Sequence, residues 1–410
     1  MSPFGLRTYR WSVGFVLLAG LTADKADAGE IVIGMSAVFS GPARGVGIEI
    51  YRGSMAYFEE INRAGGINGR PIRLLARDDG YDPARAIRNT IQFVENDNVQ
   101  LLYGYTGTPT VTRVLPLLKQ YEDRDINLFF PCSGAQPLRR PPYNKYVFSL
   151  PASYAAETAG LVENFLRTGR RRIAVYYQID AFGRSGWAGV RDALARHKLR
   201  IAGEATYRSS MQFSESVRKQ VEILRSRESD AVICIATHTG AAAFIRDARD
   251  ADWDVPIAAV SLAGDGLIQL LLERASTQSG KDYTANLFHS QVVPSIDDTD
   301  LPAVREYRSI MRDRPAALPE GVATGDYEAP PLSFFSFEGF LEAKLLVELL
   351  RRAGPTADRA ALRRTAEALK DFDLGIGETI SFGPDDHQGM ERIFYSTVAQ
   401  GRFVTVPDWR

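Results

Sequence analysis

Short apolar segments alternate with segments of helical periodicity along the chain after residue 30. Four apolar segments in the first stretch predict strands at Ile31–Ser36, Ile72–Ala76, Gln100–Tyr103 and Ile126–Phe130. The amphipathic segments between them predict helices over about 47–63, 83–96 and 109–122. Near-continuous apolar strands that are separated by helices are typical of a parallel sheet covered on both faces.

The same alternation starts again after a linker-like segment over 136–144. The second set of predicted strands is Arg172–Tyr177, Arg200–Thr206, Ala231–Ala236 and Ile257–Val260, with helices near 184–197, 214–226, 239–251 and 266–274. A third region over 295–370 is mostly helical, and the tail over 377–405 alternates like strands. The pattern therefore predicts two α/β units of similar architecture.

The N-terminal segment has the layout of an export signal. Arg7 and Arg10 precede an apolar segment over 11–21, and Ala26-Asp27-Ala28 matches a small-residue cleavage site. The apolar segment is shorter than the roughly 20 residues that span a bilayer. We therefore predict a signal peptide over 1–28, cleavage near Ala28 and a periplasmic protein. The alternative is an uncleaved membrane anchor, which the charges of Asp24 and Lys25 near the cleavage site keep open.

The composition is that of an ordered globular protein, and the part after residue 28 is long enough for two domains. The chain is 45% hydrophobic, 10% aromatic and 24% charged, and its formal net charge is −1. Nucleic acid and anionic membranes attract strongly basic proteins, so this balance argues against either as the main partner.

The cysteines and histidines indicate neither a disulfide framework nor a metal site. Cys132 and Cys234 lie in or beside apolar segments, which favours two free buried thiols over a bridge. The histidines at 197, 238, 289 and 387 are too scattered for a zinc site, and we predict no metal and no cofactor.

Polar residues and glycines follow the predicted strands, where open parallel sheets bind ligands. In the first unit these strand ends carry Ser40-Gly41, Tyr105–Thr108 and Cys132–Gly134, whose hydroxyls and free backbone N–H groups suit a carboxylate. The ends in the second unit carry Asp180, His238 and Asp265, with Phe182 and Thr237 beside them. An acidic side chain there suits an ammonium group.

The order and spacing of several motifs resemble one family. The motifs are Phe39-Ser40-Gly41-Pro42, residues 59–69 (EEINRAGGING), residues 78–83 (DDGYDP), residues 177–183 (YQIDAFG), residues 244–249 (FIRDAR), Gly264-Asp265-Gly266 and residues 380–389 (ISFGPDDHQG). Together, over about 30–405, they resemble the leucine/isoleucine/valine-binding family of type I periplasmic solute-binding proteins.

This resemblance implies an α/β clamshell in which two Rossmann-like lobes, joined by a three-strand hinge, trap a small solute. It places the crossings near 147–151, 288–294 and 374–380. The first lobe would then contain 29–148 and 294–374, and the second lobe 149–293 and 375–410.

The resemblance also implies roles for individual residues. Thr108 or its neighbours and the Cys132–Gly134 turn would hold an α-carboxylate, and Asp265 would hold the α-amino group. Phe182 would line the solute side chain, and His238 lies at or next to a family tyrosine. The full candidate ligand-binding set is Ser40, Thr106, Thr108, Cys132, Ser133, Gly134, Tyr154, Phe182, His238 and Asp265.

Each role has a structural alternative that the sequence leaves open. Thr106, Thr108 and Asp265 are also suited to capping helices, and Tyr154 either closes the pocket or caps the first helix of its lobe. Phe182 also suits a core, and His238 a polar surface.

The chain departs from the family pattern at four positions. Val46 stands where some amino-acid binders carry an aromatic residue, and Tyr81 and Gly107 stand where some carry a disulfide. Gly134 replaces a hydroxyl residue often used for the carboxylate. These departures leave amino-acid specificity open, and an aromatic or aliphatic carboxylate, an amide or a short peptide remain alternatives.

The expected function is capture of a small amino-acid-like or carboxylate solute for an ABC permease in the inner membrane, by a monomer. The alternative is a ligand-sensing module for a separate receptor or kinase. We predict no enzyme, since Gly45-Val46-Gly47 lacks the third glycine of a dinucleotide fingerprint and residues 183–186 (GRSG) do not form a nucleophile elbow.

Overall fold

The computed structural model describes Met1 and residues 29–313, 318–319, 327–399, 402–406 and 409. The predicted signal peptide lies, apart from Met1, outside the described residues. Among the described residues, no helix has both the length and the apolar character needed to cross a bilayer.

The described secondary structure follows the predicted alternation. The strands are β1 Ile31–Ala37, β2 Ile72–Asp78, β3 Leu101–Tyr103, β4 Leu128–Phe129, β5 Val147–Phe148, β6 Ile173–Gln178, β7 Glu204–Tyr207, β8 Ala231–Ile235, β9 Ile257–Ala259, β10 Leu287–Gln291, β11 Phe372–Asp373, β12 Thr379–Ile380, β13 Phe394–Ala399 and β14 Arg402–Val406. The helices are α1 Arg44–Arg63, α2 Pro83–Glu95, α3 Thr108–Gln120, α4 Tyr154–Arg167, α5 Ala181–Arg196, α6 Arg218–Arg225, α7 His238–Asp250, α8 Asp265–Ser279, α9 Pro302–Asp313, α10 Phe334–Ala353 and α11 Arg359–Glu367.

The strands form two main sheets, one for each lobe. The first sheet is parallel, with the order β2-β1-β3-β4-β5. The second sheet has the order β14-β13-β10-β9-β8-β6-β7, in which β13 pairs antiparallel with both β10 and β14 and the other pairings are parallel. Every residue of β8 is buried, as expected for a strand covered on both faces. The two-lobed fold predicted from the sequence is confirmed.

The sequence pattern suggested that the segment over 136–144 is a linker between the two units. In the structure it does not link the two lobes. It forms a short 3₁₀ turn at Gln136–Leu138 and leads, through a second at Asn144–Tyr146, into β5. This strand extends the first sheet because Val147 and Phe148 pair with β4. A two-residue strand is too short to give a recognisable hydrophobic period, so the sequence pattern did not reveal it.

Local chemistry explains the boundaries of several helices. The side chain of Asp82 accepts a hydrogen bond of 2.8 Å from the Ala84 backbone N–H and caps α2, whose first residue is Pro83. Helix α1 begins earlier than predicted and passes very close to the end of β1. A Cβ atom on Gly47 would lie 2.2 Å from the carbonyl oxygen of Val38, so only glycine permits this approach.

Helix α10 packs directly on α1. A Cβ atom on Gly53 of α1 would lie 1.7 Å from the Ser336 carbonyl oxygen, and one on Gly339 of α10 would lie 2.2 Å from the Ile50 carbonyl oxygen. Glycines facing each other's backbones let the two helices approach closely. This contact attaches the mostly helical region over 295–370 to helix α1 of the first lobe.

Two segments of the chain run side by side where β5 leaves the first sheet. Ser149, just after β5, forms a parallel bridge with Gln388, and its backbone N–H donates to the His387 carbonyl over 2.9 Å. The Phe148 ring stacks on the His387 ring with centroids 3.8 Å apart. The segment at His387 and Gln388 therefore runs directly beside the first crossing.

Candidate functional site

The carboxyl ends of the two sheets face each other across a cleft. A cavity of about 150 Å³ lies between them. Its lining comes from both lobes: Val38, Ser40, Pro42, Ala43, Gly80 and Tyr81 from the first, and Gln178, Ser209 and Ser210 from the second. This edge is where parallel sheets of this kind bind ligands.

Three buried hydroxyl groups meet near the carboxyl ends of the strands of the first sheet. The Thr108 Oγ1 lies 2.9 Å from the Ser133 Oγ and 3.1 Å from the Tyr154 hydroxyl. Thr108 is the first residue of α3, and Gly107 precedes it with a φ of +102°, so free backbone N–H groups of the helix start lie beside these hydroxyls. Hydroxyls and N–H groups together suit an oxyanion. The structure thus brings together three of the predicted site residues.

Gly134 has no side chain because Tyr154 occupies the space. A Cβ atom on Gly134 would lie 2.6 Å from both the Cδ1 atom and the backbone nitrogen of Tyr154. The Tyr154 N–H donates to the Gly134 carbonyl over 2.9 Å. Tyr154 does not cap α4, as one alternative had it, because the Ser153 side chain accepts the capping bond from Ala156. The Tyr154 hydroxyl instead joins those of Thr108 and Ser133.

Phe182 is fully buried in the first turn of α5 and packs against the same tyrosine. Its ring packs edge-on against the Tyr154 ring at a centroid distance of 5.2 Å. Both proposed roles for Phe182, in the core and in the lining of the cleft, are compatible with this position.

Thr106 and Cys132 are buried beside the hydroxyl cluster and hold neighbouring strand ends together. The Thr106 Oγ1 accepts a hydrogen bond of 2.9 Å from the Val38 N–H, and Thr106 pairs with Cys132 in a parallel bridge. Thr106 therefore ties neighbouring strand ends together and does not cap α3. Burial raises the pKa of the Cys132 thiol well above its ordinary value, and both cysteines are free, as predicted.

Ser40 is half-buried and held by an acidic turn. Its hydroxyl donates to the Asp78 Oδ2 over 2.7 Å, and the Asp78 Oδ1 accepts from the Phe39 N–H over 2.9 Å. This network anchors the Ser40-Gly41 loop at the edge of the cleft cavity. Asp78 was not among the candidate residues, although the acidic pair before Gly80 was visible in the sequence.

His238 is buried at the start of α7, which excludes the surface alternative. Burial, and secondarily the positive charge of Arg44, lowers its pKa to about 4. His238 is therefore neutral at physiological pH. Arg44 begins α1 in the first lobe, so the two residues approach from opposite lobes. Sequence reasoning missed Arg44 because its proximity to His238 depends on how the lobes meet.

Asp265 is the first residue of α8, and Gly264 precedes the helix with a φ of +62°. The structure describes the backbone of Asp265 but not its side chain, so the predicted ammonium contact lies outside the description. A Cβ atom on Gly264 would lie 2.8 Å from the Phe335 ring, which explains the first glycine of the Gly-Asp-Gly motif.

A second, much smaller cavity of about 20 Å³ lies near the hinge. Two carboxyl groups from opposite lobes line it, Glu157 of α4 and Glu338 of α10, together with Cys132 and Ser261. Burial raises the pKa of Glu157 to about 7 and that of Glu338 above its ordinary value. Neither was a candidate in the sequence, because each lies within an apolar helical pattern.

A larger cavity of about 640 Å³ lies near the opposite edge of the first sheet. Glu30 and Gln100, which precede β1 and β3, are among its lining residues. Amino ends of parallel strands are not where this fold class binds its ligands. Among the described residues, no cluster of three or more histidine, cysteine, aspartate or glutamate side chains is arranged to hold a metal ion.

Comparisons with known proteins agree with this architecture. A family model described as "Periplasmic binding protein" matches residues 30–402. The "Leu/Ile/Val-binding protein homolog 3" of Brucella melitensis is 22% identical over 89% of this chain and 90% of its own length. The "Amino acid binding protein" of Pseudomonas aeruginosa is 24% identical over 62% of this chain, which spans 65% of that protein's length.

A solved structure of a possible leucine/isoleucine/valine-binding protein from Rhodopirellula baltica superposes with a TM-score of 0.81. It is 29% identical, and the match covers 94% of this chain and 98% of the other. Such proteins bind solutes and are not enzymes, as predicted for this chain. The two lobes, the cleft at their strand ends and the match over 30–402 together establish that the chain belongs to the periplasmic binding protein family.

Proposed function

We propose that the protein captures a small solute carrying a carboxylate in the cleft and delivers it to an ABC permease of the inner membrane. The observation that carries the proposal is the buried hydroxyl cluster of Thr108, Ser133 and Tyr154 at the start of α3. Its hydroxyls and the N–H groups of the helix start provide donors for a carboxylate at the edge where the two lobes meet. The names of the relatives indicate amino acids as the first class to test.

Closure around the solute would provide the signal for the permease. A solute that contacts both lobes shifts the population toward the form in which they touch, because it binds that form more tightly. We assign 29–148 and 294–374 to the first lobe and 149–293 and 375–410 to the second. The protein acts in this proposal as a periplasmic monomer, after removal of the signal peptide near Ala28.

Asp265 is proposed to hold the ammonium group of an amino acid. It begins α8 from the second lobe, after Gly264 and Phe335 have set the position of the helix start. A solute with an ammonium would depend on this carboxylate, whereas a simple carboxylate would not.

A thermal-shift screen tests the proposal directly. The mature protein, beginning at Gly29, is screened against amino acids, aromatic and aliphatic carboxylates, amides and short peptides. A compound that binds only the native state, present at about 100 times its dissociation constant, should stabilise it by about 2.7 kcal/mol. If no compound class raises the melting temperature, the proposed capture function is wrong.

Variants then locate the bound solute. Thr108→Val should reduce the shift strongly, since a carboxylate loses a hydroxyl partner. Thr365→Val is the matched control, because the Thr365 hydroxyl bonds only within its own helix, to the Ala361 carbonyl. Asp265→Asn should reduce the shift for amino acids and leave that for simple carboxylates unchanged.

The cellular role is tested separately. Deletion of the gene should abolish uptake of the identified solute, and mass spectrometry of the periplasmic fraction should find a chain that begins at Gly29. Uptake at the normal rate in the deletion strain would contradict the import role and favour a sensing role.

A further inference from the structure

Tyr81 reaches from the first lobe into the second and bonds to two of its side chains. We propose that Tyr81 is a positioning residue that stabilises the closed cleft by a hydrogen-bonded strut to Gln178 and Asp180. This inference rests on the proposed capture function, because it concerns how the cleft that would hold the solute is kept closed. It assigns a role to a residue that lines the cleft cavity and was not among the candidate ligand-binding residues.

The backbone before Tyr81 is built to project this side chain. Gly80 and Tyr81 both have positive φ values, of +57° and +66°, which is an unfavourable conformation for a tyrosine. The Asp79 side chain holds the turn by accepting from the Tyr81 N–H over 2.9 Å and from the Ser36 hydroxyl over 2.9 Å. The surrounding hydrogen bonds thus compensate for a conformation that a tyrosine rarely adopts.

The ring of Tyr81 packs on the backbone of Gly107. A Cβ atom on Gly107 would lie 3.0 Å from both Cδ2 and Cε2 of the ring, so a side chain at 107 would displace it. Gly107 immediately precedes α3, which carries Thr108. These two positions, where some family members carry a disulfide, here form an aromatic contact, and that contact aims the hydroxyl across the cleft.

The hydroxyl of Tyr81 makes two bonds to the second lobe. It donates to the Asp180 Oδ2 over 3.0 Å and accepts from the Gln178 Nε2 over 2.9 Å. The other carboxylate oxygen of Asp180 accepts from the Phe182 N–H over 2.9 Å and so caps α5. The strut therefore ends on a side chain that is already held in place.

A chain of hydrogen bonds continues from Gln178 toward α7. The Gln178 Oε1 accepts from the Tyr207 hydroxyl over 3.0 Å, and the Thr237 N–H donates to the same hydroxyl over 2.9 Å. Thr237 directly precedes His238. One tyrosine of the first lobe is thereby connected to the starts of both helices, α5 and α7, that the second lobe presents to the cleft.

The proton of the Tyr81 hydroxyl is retained over the whole physiological range. Burial, and then the negative charge of Asp180, raises the pKa of Tyr81 well above its ordinary value. The donor to Asp180 is therefore always present when the lobes meet. A hydrogen bond to a carboxylate is among the stronger kinds in proteins.

The test measures lobe separation without any solute, so it does not depend on the capture function. Spin labels are placed on the full mature chain through Arg88→Cys on α2 and Arg196→Cys at the end of α5, both exposed positions on opposite lobes. The native cysteines are buried and should not label. Tyr81→Phe keeps the ring on Gly107 but removes both bonds, and the ratio of short to long distances should fall about tenfold.

Tyr283→Phe is the matched control. The Tyr283 hydroxyl is also bonded to an aspartate, Asp250, over 3.0 Å, but both residues belong to the second lobe. The control should leave the distance distribution unchanged. Identical distributions for wild type and Tyr81→Phe would overturn the inference, even if the solute screen succeeds.

A double-mutant cycle separates a direct strut from general loosening. Tyr81→Phe and Asp180→Asn should together cost less than the sum of the two single changes, because they remove the same contact. Strict additivity of their effects on the distance ratio would also overturn the inference. Circular dichroism of each variant establishes that it is folded before its distances are compared.

Discussion

The two lobes touch in two chemically opposite ways. At the cleft, Tyr81 offers a hydroxyl to the Asp180 carboxylate and takes a bond from Gln178, so donors and acceptors match. Near the hinge, the Glu157 and Glu338 carboxyl groups line the same small cavity, so two groups of like charge approach each other when ionised. The second contact therefore depends on protonation.

The two contacts differ in how the carboxylates of Asp180 and Glu157 are hydrogen-bonded and buried. Asp180 receives hydrogen bonds from a tyrosine, a glutamine and the N–H groups of a helix start. Glu157 also accepts bonds, from the Ser261 backbone N–H and hydroxyl and from the Ser290 hydroxyl. Burial nevertheless dominates there and raises its pKa to about 7.

The largest expected effect comes from removing Glu157 itself. Glu157→Leu would leave the Ser261 N–H, the Ser261 hydroxyl and the Ser290 hydroxyl buried without their acceptor. The free energy of unfolding, measured by urea denaturation, should fall by about 3 kcal/mol. Glu157→Gln keeps an acceptor oxygen and resembles the protonated acid, so its loss should be clearly smaller. Equal losses for both variants would show that the bonds to serine do not matter.

The next effect is a dependence of stability on pH. The pKa values of Glu157 and Glu338 are raised in the folded protein, so their stabilising contribution is full below their ordinary pKa and is lost as pH rises through the folded values. The lowered pKa of His238 acts oppositely, but only below about pH 6.5. The free energy of unfolding should therefore fall between pH 6.5 and 8.5, by on the order of 2 kcal/mol.

Glu338→Gln sharpens this measurement because it removes one of the two carboxyl groups and keeps the shape. Its unfolding free energy should change less with pH over the same range than that of the wild type. The Tyr81→Phe variant should retain the full wild-type slope, since it keeps both carboxyl groups of the hinge contact. A wild-type slope in Glu338→Gln would show that the hinge contact is not the source.

The smallest expected effect comes from the turn that joins both contacts. Gly134→Ala places a Cβ atom 2.6 Å from Tyr154, whose hydroxyl bonds to Thr108 and whose helix carries Glu157. The overpacking should lower the free energy of unfolding by about 1 kcal/mol. Gly266→Ala is the matched control, since nothing lies within 4 Å of its Cβ atom. A neutral Gly134→Ala would mean that Tyr154 moves away easily.

Much of the fold was predictable because it repeats local patterns. The apolar segments at 31–36 and 231–236 are buried strands, and Asp82 and Pro83 begin a helix as predicted. Short strands were not predictable in this way. Two residues of β5 carry no period, and they become a strand only because β4 lies beside them.

The candidate site was also predictable only in part from the sequence. Thr108, Ser133 and Tyr154 were named from the sequence, and the structure brings their hydroxyls together. Thr106 was named as a ligand residue but bonds to the Val38 backbone. The choice between a ligand contact and a backbone contact depends on which strand end lies next to the hydroxyl, and the residue type does not reveal that neighbour.

The sequence by itself determined the two α/β units, the glycine-rich strand ends and the family, because periodicity and motif order are local properties of the chain. Only the tertiary structure decided that Tyr81 meets Asp180, that His238 faces Arg44 and that Glu157 opposes Glu338. Each of these pairs joins residues from opposite lobes. Their contact, and the burial that shifts their pKa values, exists only once the two lobes have come together.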